Sequence, residues 1–230
     1  GEVTVALLCQ ELRLSKSASY LIVALLRDRG YLAETGDGRL RLGPLAIRVG
    51  LQALEGLDLF KVTPPHLARI VEQTQETTFV AVPDSDQMVY VMQEVGPQVV
   101  KVSSKLGSVA PLHASGLGKA YLSGLPEARA DAVIDTLDLV GYTPTTITTA
   151  DALRAAVRRD RRRGYAIDDA EREPGVRCIA APIRDASGAA VAALSVAGPA
   201  DRIKAAQASI IDAVIHTTAR ISAELGHLET

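Results

Sequence analysis

Apolar and polar residues alternate with helical spacing over the first 30 residues of the chain. Apolar residues recur every three or four positions and predict a helix over 4–12. Ser15 is a favourable N-cap for a second helix, which ends at Gly30. Two short extended runs around Asp37-Gly38 then predict a hairpin. The apolar stripe of the second helix consists of Ala18, Leu21, Ile22, Leu25 and Leu26.

Two helices followed by a hairpin predict a winged helix-turn-helix over residues 1–43. In that arrangement the second helix enters the major groove of DNA, and the hairpin contacts the phosphate backbone or the minor groove. Helix pairs that end in a hairpin also occur in domains that never contact DNA, so the pattern alone leaves DNA binding open. The residues predicted to contact DNA are Lys16, Ser17, Ser19, Tyr20, Arg39 and Arg41.

The chain from residue 44 onward alternates helical and strand-like runs. Residues 44–58 predict a linker helix, and Thr63 ahead of two prolines predicts that the next helix starts there. Residues 59–230 are predicted to form an α+β domain with a mostly antiparallel sheet. Its main elements are a hairpin over 77–95, a strand over 98–104, a hairpin over 177–198 and one long closing helix over 201–225.

A lone cysteine, Cys178, lies in the first strand of the 177–198 hairpin. If the turn is an even-length loop centred on Ala186-Ser187, Cys178 lies opposite Ser195. An odd-length loop or a bulge would break this register. A face of small residues leaves room either for a closely packed helix or for a ligand. The small residues that alternation adds to this face are Val176, Ala180, Ala193 and Ala197.

The stretch "PLHASGLGKA" over 111–120 is a second candidate for ligand binding. Gly116 and Gly118 bring bare amide groups close to a helix start, with Lys119 beside them. Helix N-termini bind anions well. A tight loop that needs glycine backbone angles explains the same two glycines.

Composition and charge exclude several classes of protein. The 230 residues carry a net charge of -2 at pH 7, which does not suggest a protein coated with nucleic acid. No apolar run approaches the roughly 20 residues of a membrane-spanning helix. Cys9 and Cys178 lie far apart, which suits a reducing cytoplasm and matches no disulfide or zinc pattern. We therefore expect a cytoplasmic protein without a metal, a cofactor or a membrane anchor.

The stretch "RRGYAIDDAEREPGVRCIAAPIRDASGAAVAALSVAGP" strongly resembles the signature of the IclR-type bacterial transcriptional regulators. "PLHASGLGKAYL" resembles their second motif, and "SKSASYLIVALLRDRGYLAETGDGRLRLG" resembles their recognition helix and wing. The resemblance covers nearly the whole chain. It implies a winged helix-turn-helix, a linker helix and an effector domain related to the GAF fold. Such a winged domain also has a helix before Thr4, so we expect the first residues to be missing here.

The resemblance further implies a regulator that binds a double-stranded DNA operator as a homodimer or a dimer of dimers. Its effector would be a small organic acid or an aromatic metabolite. Ala197 stands where many members have a second serine, which favours a somewhat larger or more apolar effector. Leu21 stands where an arginine is common, which leaves fewer charged contacts to DNA. The implied pocket residues are Gly116, Leu117, Gly118, Asp168, Cys178, Ser195 and Ala197.

Two other functions compete with that of a regulator. Cys178 could be the nucleophile or redox thiol of an enzyme, which requires a depressed thiol pKa and usually a base or a second cysteine nearby. The chain could also be a GAF-like small-molecule binding module that has lost DNA recognition, and Leu21 is the main support for that function.

Overall fold

Two helices and a hairpin form at the N-terminal end of the chain, as the apolar spacing predicts. Thr4 and Ser15 cap the two helices by accepting hydrogen bonds from helix amides. The hairpin turn uses Gly38, whose φ of 79° lies in the left-handed region. Val3 pairs with Leu40 and extends the hairpin by one short antiparallel contact. The computed structural model, which describes residues 3–55 and 58–227, contains here α1 (Val5–Glu11), α2 (Lys16–Asp28), β1 (Leu32–Glu34) and β2 (Leu40–Leu42).

The buried side of α2 differs from the predicted apolar stripe. Ser19 and Val23 are buried on this side, whereas Leu21 is 73% exposed and Leu25 is 55% exposed. The hydroxyl of Ser19 has no hydrogen-bond partner among the described residues. The predicted position of Ser19 on the DNA-facing side is therefore wrong. Because α2 is apolar on two adjacent sides, only its packing against α1 and β1 decides which side is buried.

The boundary between the two units of the chain lies a few residues after the predicted end of the linker helix. The chain separates into two compact units, Gly1–Lys61 and Val62–Thr230. The predicted linker over 44–58 is helical as α3 (Pro44–Glu55), and residues 56–57 lie outside the described residues. The next helix, α4 (Leu59–Thr74), begins before Thr63, so the predicted helix start is wrong. Thr63 is buried instead of capping the helix, and both prolines lie inside it.

A six-stranded sheet forms the centre of the second unit. Its strand order is β5-β4-β3-β8-β7-β6, and every neighbouring pair is antiparallel. The predicted α+β class with an antiparallel sheet is thus confirmed. The strands are β3 (Thr77–Asp84), β4 (Gln87–Glu94), β5 (Val109–Pro111), β6 (Ala166–Asp169), β7 (Val176–Arg184) and β8 (Ala190–Pro199). The helices are α5 (Gly116–Gly124), α6 (Glu127–Ile134), α7 (Ala150–Arg163), α8 (Ala200–Ala205) and α9 (Gln207–Glu224).

Two of the predicted elements in the second unit are wrong. The strand over 98–104 does not form: Val99 is 97% exposed, and the edge of β4 is taken by β5 instead. A strand needs a free sheet edge to pair with, and the alternation of apolar residues over 98–104 does not indicate whether such an edge is available. The single closing helix over 201–225 is two helices, α8 and α9, which meet at Ala206. An alanine carries no local signal for such a break.

Helix α5 packs closely against the small-residue face of β7 and β8. Nearly all of its residues are buried, and a glycine stands at each end. A Cβ atom at Gly116 would overlap the sulfur of Cys178. A Cβ atom at Gly124 would lie 2.6 Å from the Cβ atom of Ala190. Close packing of a helix, which is one of the two explanations offered for the small residues on this face, therefore accounts for some of them.

We expect Gly124→Ala to lower the free energy of unfolding by about 1–3 kcal/mol. The added methyl group overlaps the Cβ atoms of Pro182 and Ala190, which have no other rotamer to adopt. Urea unfolding followed by circular dichroism measures the change. Gly141→Ala is the matched control, because a Cβ atom there makes an ordinary contact at 3.5 Å with Thr148. Equal stability of the two variants would contradict the close approach of α5.

Candidate functional site

Cys178 and Ser195 lie on the same face of the sheet, although they are not opposite each other as predicted. Cys178 pairs with Ala197, and Ser195 pairs two positions further along β7. The predicted register is wrong because the turn is an odd-length loop over 186–188 and a bulge follows beside Ile183. Either irregularity alone would move the side chains to the opposite face. Together they shift the pairing by two residues, so Cys178 and Ser195 stay on the same face of the sheet, as predicted.

A cavity of about 270 Å³ lies between this face of the sheet and the N-terminal end of α5. Gly118 does not line it. A Cβ atom there would overlap the backbone of Leu112, and the Gly118 amide donates to Ser115 Oγ at 3.0 Å. Gly118 thus permits a close backbone approach, which is the tight-loop explanation. The other predicted pocket residues line the cavity: Gly116, Leu117, Asp168, Cys178, Ser195 and Ala197.

The first turn of α5 offers backbone donors to this cavity. The first amides of a helix have no carbonyl partner within the helix. Ser115 Oγ accepts from the Gly118 amide, and Gly116 lies against the sulfur of Cys178. The Leu117 amide has no acceptor within the helix, and Leu117 itself lines the cavity. A ligand oxygen next to Leu117 therefore finds a donor at the positive end of the α5 dipole.

Lys119 is not free to bind an anion. It is 1% exposed, and its ammonium group donates to the Ile167 carbonyl at 2.6 Å. The same group pairs with the carboxylate of Glu171, which is also buried. This ion pair fastens α5 to the segment that follows β6. Removing one partner of such a pair typically costs about 3–5 kcal/mol, because the other charge stays buried.

Three threonines fix the segment that follows β6. The hydroxyls of Thr143, Thr145 and Thr146 donate hydrogen bonds to backbone carbonyls of residues 169–171. Ala170, in the middle of this segment, has a φ of 58° in the left-handed region. The threonine bonds hold the chain in this strained turn, which carries residues 168 and 172 to the cavity.

Several cavity residues escaped prediction from the sequence. Phe79 lies opposite Ser195 across β3 and β8, a pairing that only the strand order reveals. The rings of Phe79 and Tyr90 meet edge to face, with their centroids 5.3 Å apart. Arg172 belongs to the signature stretch, but no periodicity indicates where its side chain points. The residues that escaped prediction are Phe79, Tyr90, Val102, Ser103, Ser104, Ser115, Arg172 and Glu173, whereas Val176 lines the cavity on the face where alternation predicts it.

Asp168 and Arg172 place opposite charges at the cavity. Burial of Asp168 raises the pKa of its carboxyl group to about 6, although the hydrogen bond from the Glu171 amide and the charge of Lys119 lower it. The Glu171 amide donates to this carboxylate at 2.8 Å. Arg172 donates to the Val109 carbonyl at 2.8 Å, and this bond uses one of its five N–H groups. The cavity therefore combines a guanidinium group with a carboxyl group that is partly protonated near pH 6.

The thiol of Cys178 is suited to a cavity wall and not to nucleophilic chemistry. Burial, followed by the charge of Asp168, raises the pKa of this thiol to about 12. The thiol is therefore protonated at neutral pH, whereas a catalytic cysteine needs a lowered pKa. None of the described histidines lines the cavity, and Cys9 lies in the other unit. These observations weigh against a thiol enzyme.

Ser195 presents a buried hydroxyl group to the cavity. Its side chain lines the cavity and the residue is 1% exposed. Within residues 3–55 and 58–227, no hydrogen-bond partner accompanies this hydroxyl. Because this hydroxyl faces the cavity without a protein partner, a ligand oxygen there can form a hydrogen bond with it.

The residues predicted to contact DNA lie on the first unit. Arg39 is the least available of those on the surface, because its guanidinium group lies 3.1 Å from the Asp37 carboxylate. A DNA phosphate has to compete with that carboxylate. Apart from Ser19, the predicted residues are all exposed: Lys16, Ser17, Tyr20, Arg39 and Arg41.

No helix in the described part of the chain combines the length and the apolar character needed to cross a membrane. The described residues also contain no group of three or more His, Cys, Asp or Glu side chains placed to hold a metal ion.

Proteins similar to this chain in sequence are bacterial transcriptional regulators. The acetate operon repressor of Salmonella typhimurium is 32% identical over 206 residues, which cover 88% of this chain and 75% of that protein. The HTH-type transcriptional regulator BhcR of Paracoccus denitrificans is 32% identical over 222 residues, 96% of this chain and 80% of BhcR. The family described as bacterial transcriptional regulator IclR, C-terminal, matches residues 51–223. The chain belongs to the IclR family, and the resemblance seen in its motifs is confirmed.

Solved structures show the same fold. IclR of Thermotoga maritima matches with a TM-score of 0.75 and 28% identity, over 99% of this chain and 92% of that one. An IclR homologue of Microbacterium hydrocarbonoxydans in complex with 4-hydroxybenzoate matches with a TM-score of 0.81 and 26% identity. That match covers 97% of this chain and 91% of the homologue.

We expect Asp168 to make the protein less stable as the pH rises from about 4 to about 6. The pKa of this carboxyl group lies near 6 in the folded chain, against an ordinary value of 3.8. The folded state therefore holds more protons in this window than the unfolded state, and stability is lost as the pH rises, by at most about 3 kcal/mol.

Asp168→Asn removes the titration and keeps an acceptor for the Glu171 amide. The measurement is the free energy of unfolding in urea, for both proteins, at several pH values between 4 and 7. The other carboxyl groups titrate alike in both, so the difference between the two proteins isolates Asp168. A difference that stays constant with pH contradicts the raised pKa.

Proposed function

We propose that the chain is a DNA-binding transcriptional regulator of a metabolic operon that responds to a small organic acid with an aromatic or similarly apolar body. In this proposal residues 1–43 are a winged helix-turn-helix, residues 44–58 a linker helix and residues 59–230 a GAF-like effector domain. The regulator acts on operator DNA in the cytoplasm as a homodimer or a dimer of dimers. Family membership and the names of the curated relatives support the regulatory part of the proposal.

The unpartnered hydroxyl of Ser195 is the observation that carries the effector proposal. A closely packed helix explains why the residues around Cys178 are small, but it leaves the Ser195 hydroxyl without a partner. A bound effector supplies that partner through an oxygen atom. The volume of about 270 Å³ suits a small metabolite and is too small for a typical drug-sized molecule.

Arg172 and the aromatic rings of the cavity favour an aromatic acid. Arg172 and the Leu117 amide are donors for a carboxylate group, and both residues line the cavity. Phe79 and Tyr90 offer aromatic surface to an apolar body. Ala197, which stands where many family members have a serine, adds apolar surface beside Cys178. The 4-hydroxybenzoate bound to the Microbacterium homologue belongs to this chemical class.

Regulation requires that the effector binds two conformations of the protein with different affinity. The segment over 168–172 connects the cavity to α5 through the ion pair of Lys119 and Glu171. An effector that bonds to Arg172 or Asp168 therefore acts on a segment that is rigidly fastened to the fold. We infer that this segment is where effector binding first changes the balance between conformations.

We expect Ser195→Ala to weaken the binding of the effector by about tenfold, which corresponds to the loss of one hydrogen bond at about 1.4 kcal/mol. Isothermal titration calorimetry with 4-hydroxybenzoate and a panel of related aromatic and aliphatic acids measures the affinities. Ser123→Ala is the matched control, because Ser123 is equally buried in α5 but donates to the Ala120 carbonyl and lies outside the cavity. If both variants bind every ligand found as the wild type does, the assignment of the cavity fails.

We expect Arg41→Ala to weaken operator binding more than Arg39→Ala, because Asp37 already holds the guanidinium group of Arg39. Removing one bond to a DNA phosphate reduces the slope of log affinity against log salt by about one. Gel shifts at several salt concentrations, with the intergenic DNA next to the gene as probe, measure both effects. Arg220→Ala, which removes an exposed charge from α9 in the second unit, is the control.

Equal losses of affinity in the Arg41 and Arg220 variants contradict the predicted DNA contacts. Effector binding without any specific DNA binding favours the alternative, a small-molecule binding module, and gives Leu21 its significance.

A further inference from the structure

Three arginines meet at a second cavity, which lies at the C-terminal end of α5. Arg129 comes from α6, Arg161 from α7 and Arg184 from β7. The cavity measures about 510 Å³ and shares no lining residue with the cavity at Ser195. No Asp or Glu of the described residues lines it. Three positive charges therefore converge without a carboxylate among the residues that enclose them.

Contacts with the backbone use only some of the donors of this cluster. Arg184 Nη1 donates to the carbonyls of Gly124 and Gly188 at 2.8 Å and 2.9 Å. Its Nε and Nη2 groups have no hydrogen-bond partner within the part of the chain that the structure describes. A guanidinium group carries five N–H donors, so several remain for a ligand.

Arg161 and Arg129 add further donors. Arg161 donates to the carbonyls of Ser123 and Leu125 at 3.1 Å and 2.7 Å. Its Nη1 also forms a long ion pair, at 3.9 Å, with the carboxylate of Glu127, which is 57% exposed. The guanidinium group of Arg129 makes no hydrogen bond or ion pair to any described residue.

Capping of α5 explains only part of this arrangement. The last carbonyls of a helix need donors, and positive charge is favourable there. That accounts for the backbone contacts of Arg161 and Arg184, but not for the presence of Arg129. Burial and the charge of Arg161 lower the pKa of Arg184, which shows that the two charges disfavour each other. By contrast, the exposed face of α7 surrounds Arg154 with the carboxylates of residues 131, 135 and 151.

We propose that this arginine cluster binds a phosphate group, either as free phosphate or as the monoester of a small metabolite. Guanidinium groups match phosphate oxygens with paired, charge-assisted hydrogen bonds. A phosphate dianion offsets the repulsion among the three arginines. Leu125, Pro126 and Ala190 line the same cavity and give an organic group of the ligand apolar surface to contact.

The test measures phosphate binding to the full chain by calorimetry and by the shift in melting temperature. The probes are inorganic phosphate and the monoester 3-phosphoglycerate, with chloride at equal ionic strength as the reference for general salt effects. A ligand that binds only the folded state raises the stability of the protein once its concentration exceeds the Kd. The probes are therefore titrated up to a concentration of about 20 mM.

Arg129→Ser is the principal variant, because Arg129 is exposed and makes no hydrogen bond or ion pair to any described residue. Arg162→Ser is its matched control, since Arg162 is exposed on α7, loses the same charge and does not line the cavity. We expect Arg129→Ser to weaken binding at least about fivefold, and Arg162→Ser to leave it unchanged. Arg184→Lys adds a test at the member from β7, with circular dichroism to check its fold.

Tighter binding of the monoester than of inorganic phosphate assigns the site to a phosphorylated metabolite, and equal binding assigns it to free phosphate. The proposal is overturned if neither probe stabilises the protein more than chloride does. It is also overturned if Arg129→Ser and Arg162→Ser lose the same amount of affinity for the probes. Ser195→Ala is included to separate the two sites: it leaves phosphate binding intact if the cluster acts independently of the effector cavity.

Discussion

The contact between Gly116 and Cys178 is the constraint on which the second unit depends. A helix can lie this close to a sheet only where one partner has no side chain and the other has a small one. The sulfur atom occupies the space that a Cβ atom of Gly116 would need. Because α5 begins at this contact, Gly116 and Leu117 line the same cavity as Ser195. The position of the cavity is therefore a consequence of helix packing.

The unusual electrostatics of the site follow from the same packing. With α5 pressed onto the sheet, Asp168, Lys119 and Glu171 are all removed from water. Lys119 and Glu171 form an ion pair, while burial raises the pKa of the Asp168 carboxyl group. Charged groups this deeply buried need a fixed geometry. The threonine contacts over 143–146 provide it by satisfying the carbonyls of the strained segment.

The elements with strong local signals were predictable, and those that depend on partners were not. The caps at Thr4 and Ser15 and the glycine at position 38 act on their own neighbours, so their elements formed as expected. Burial of Ser19, loss of the strand over 98–104 and the break at Ala206 all depend on what lies beside each segment. The face shared by Cys178 and Ser195 was right only because two register errors cancelled. Phe79 lines the cavity because of the strand order, and Arg172 lines it because of the strained turn at Ala170. Neither cause produces a periodic pattern in the sequence.

The irregular segment over 98–104 divides the cavity into two kinds of surface. One side is built from α5 and the central strands, where almost any larger side chain disturbs packing. The other side includes Val102, Ser103 and Ser104, which belong to no helix or strand. Substitutions there change the shape and polarity offered to a ligand without breaking a ladder of hydrogen bonds. Related proteins can therefore diverge in the molecules they recognise while the scaffold that holds the ligand stays the same.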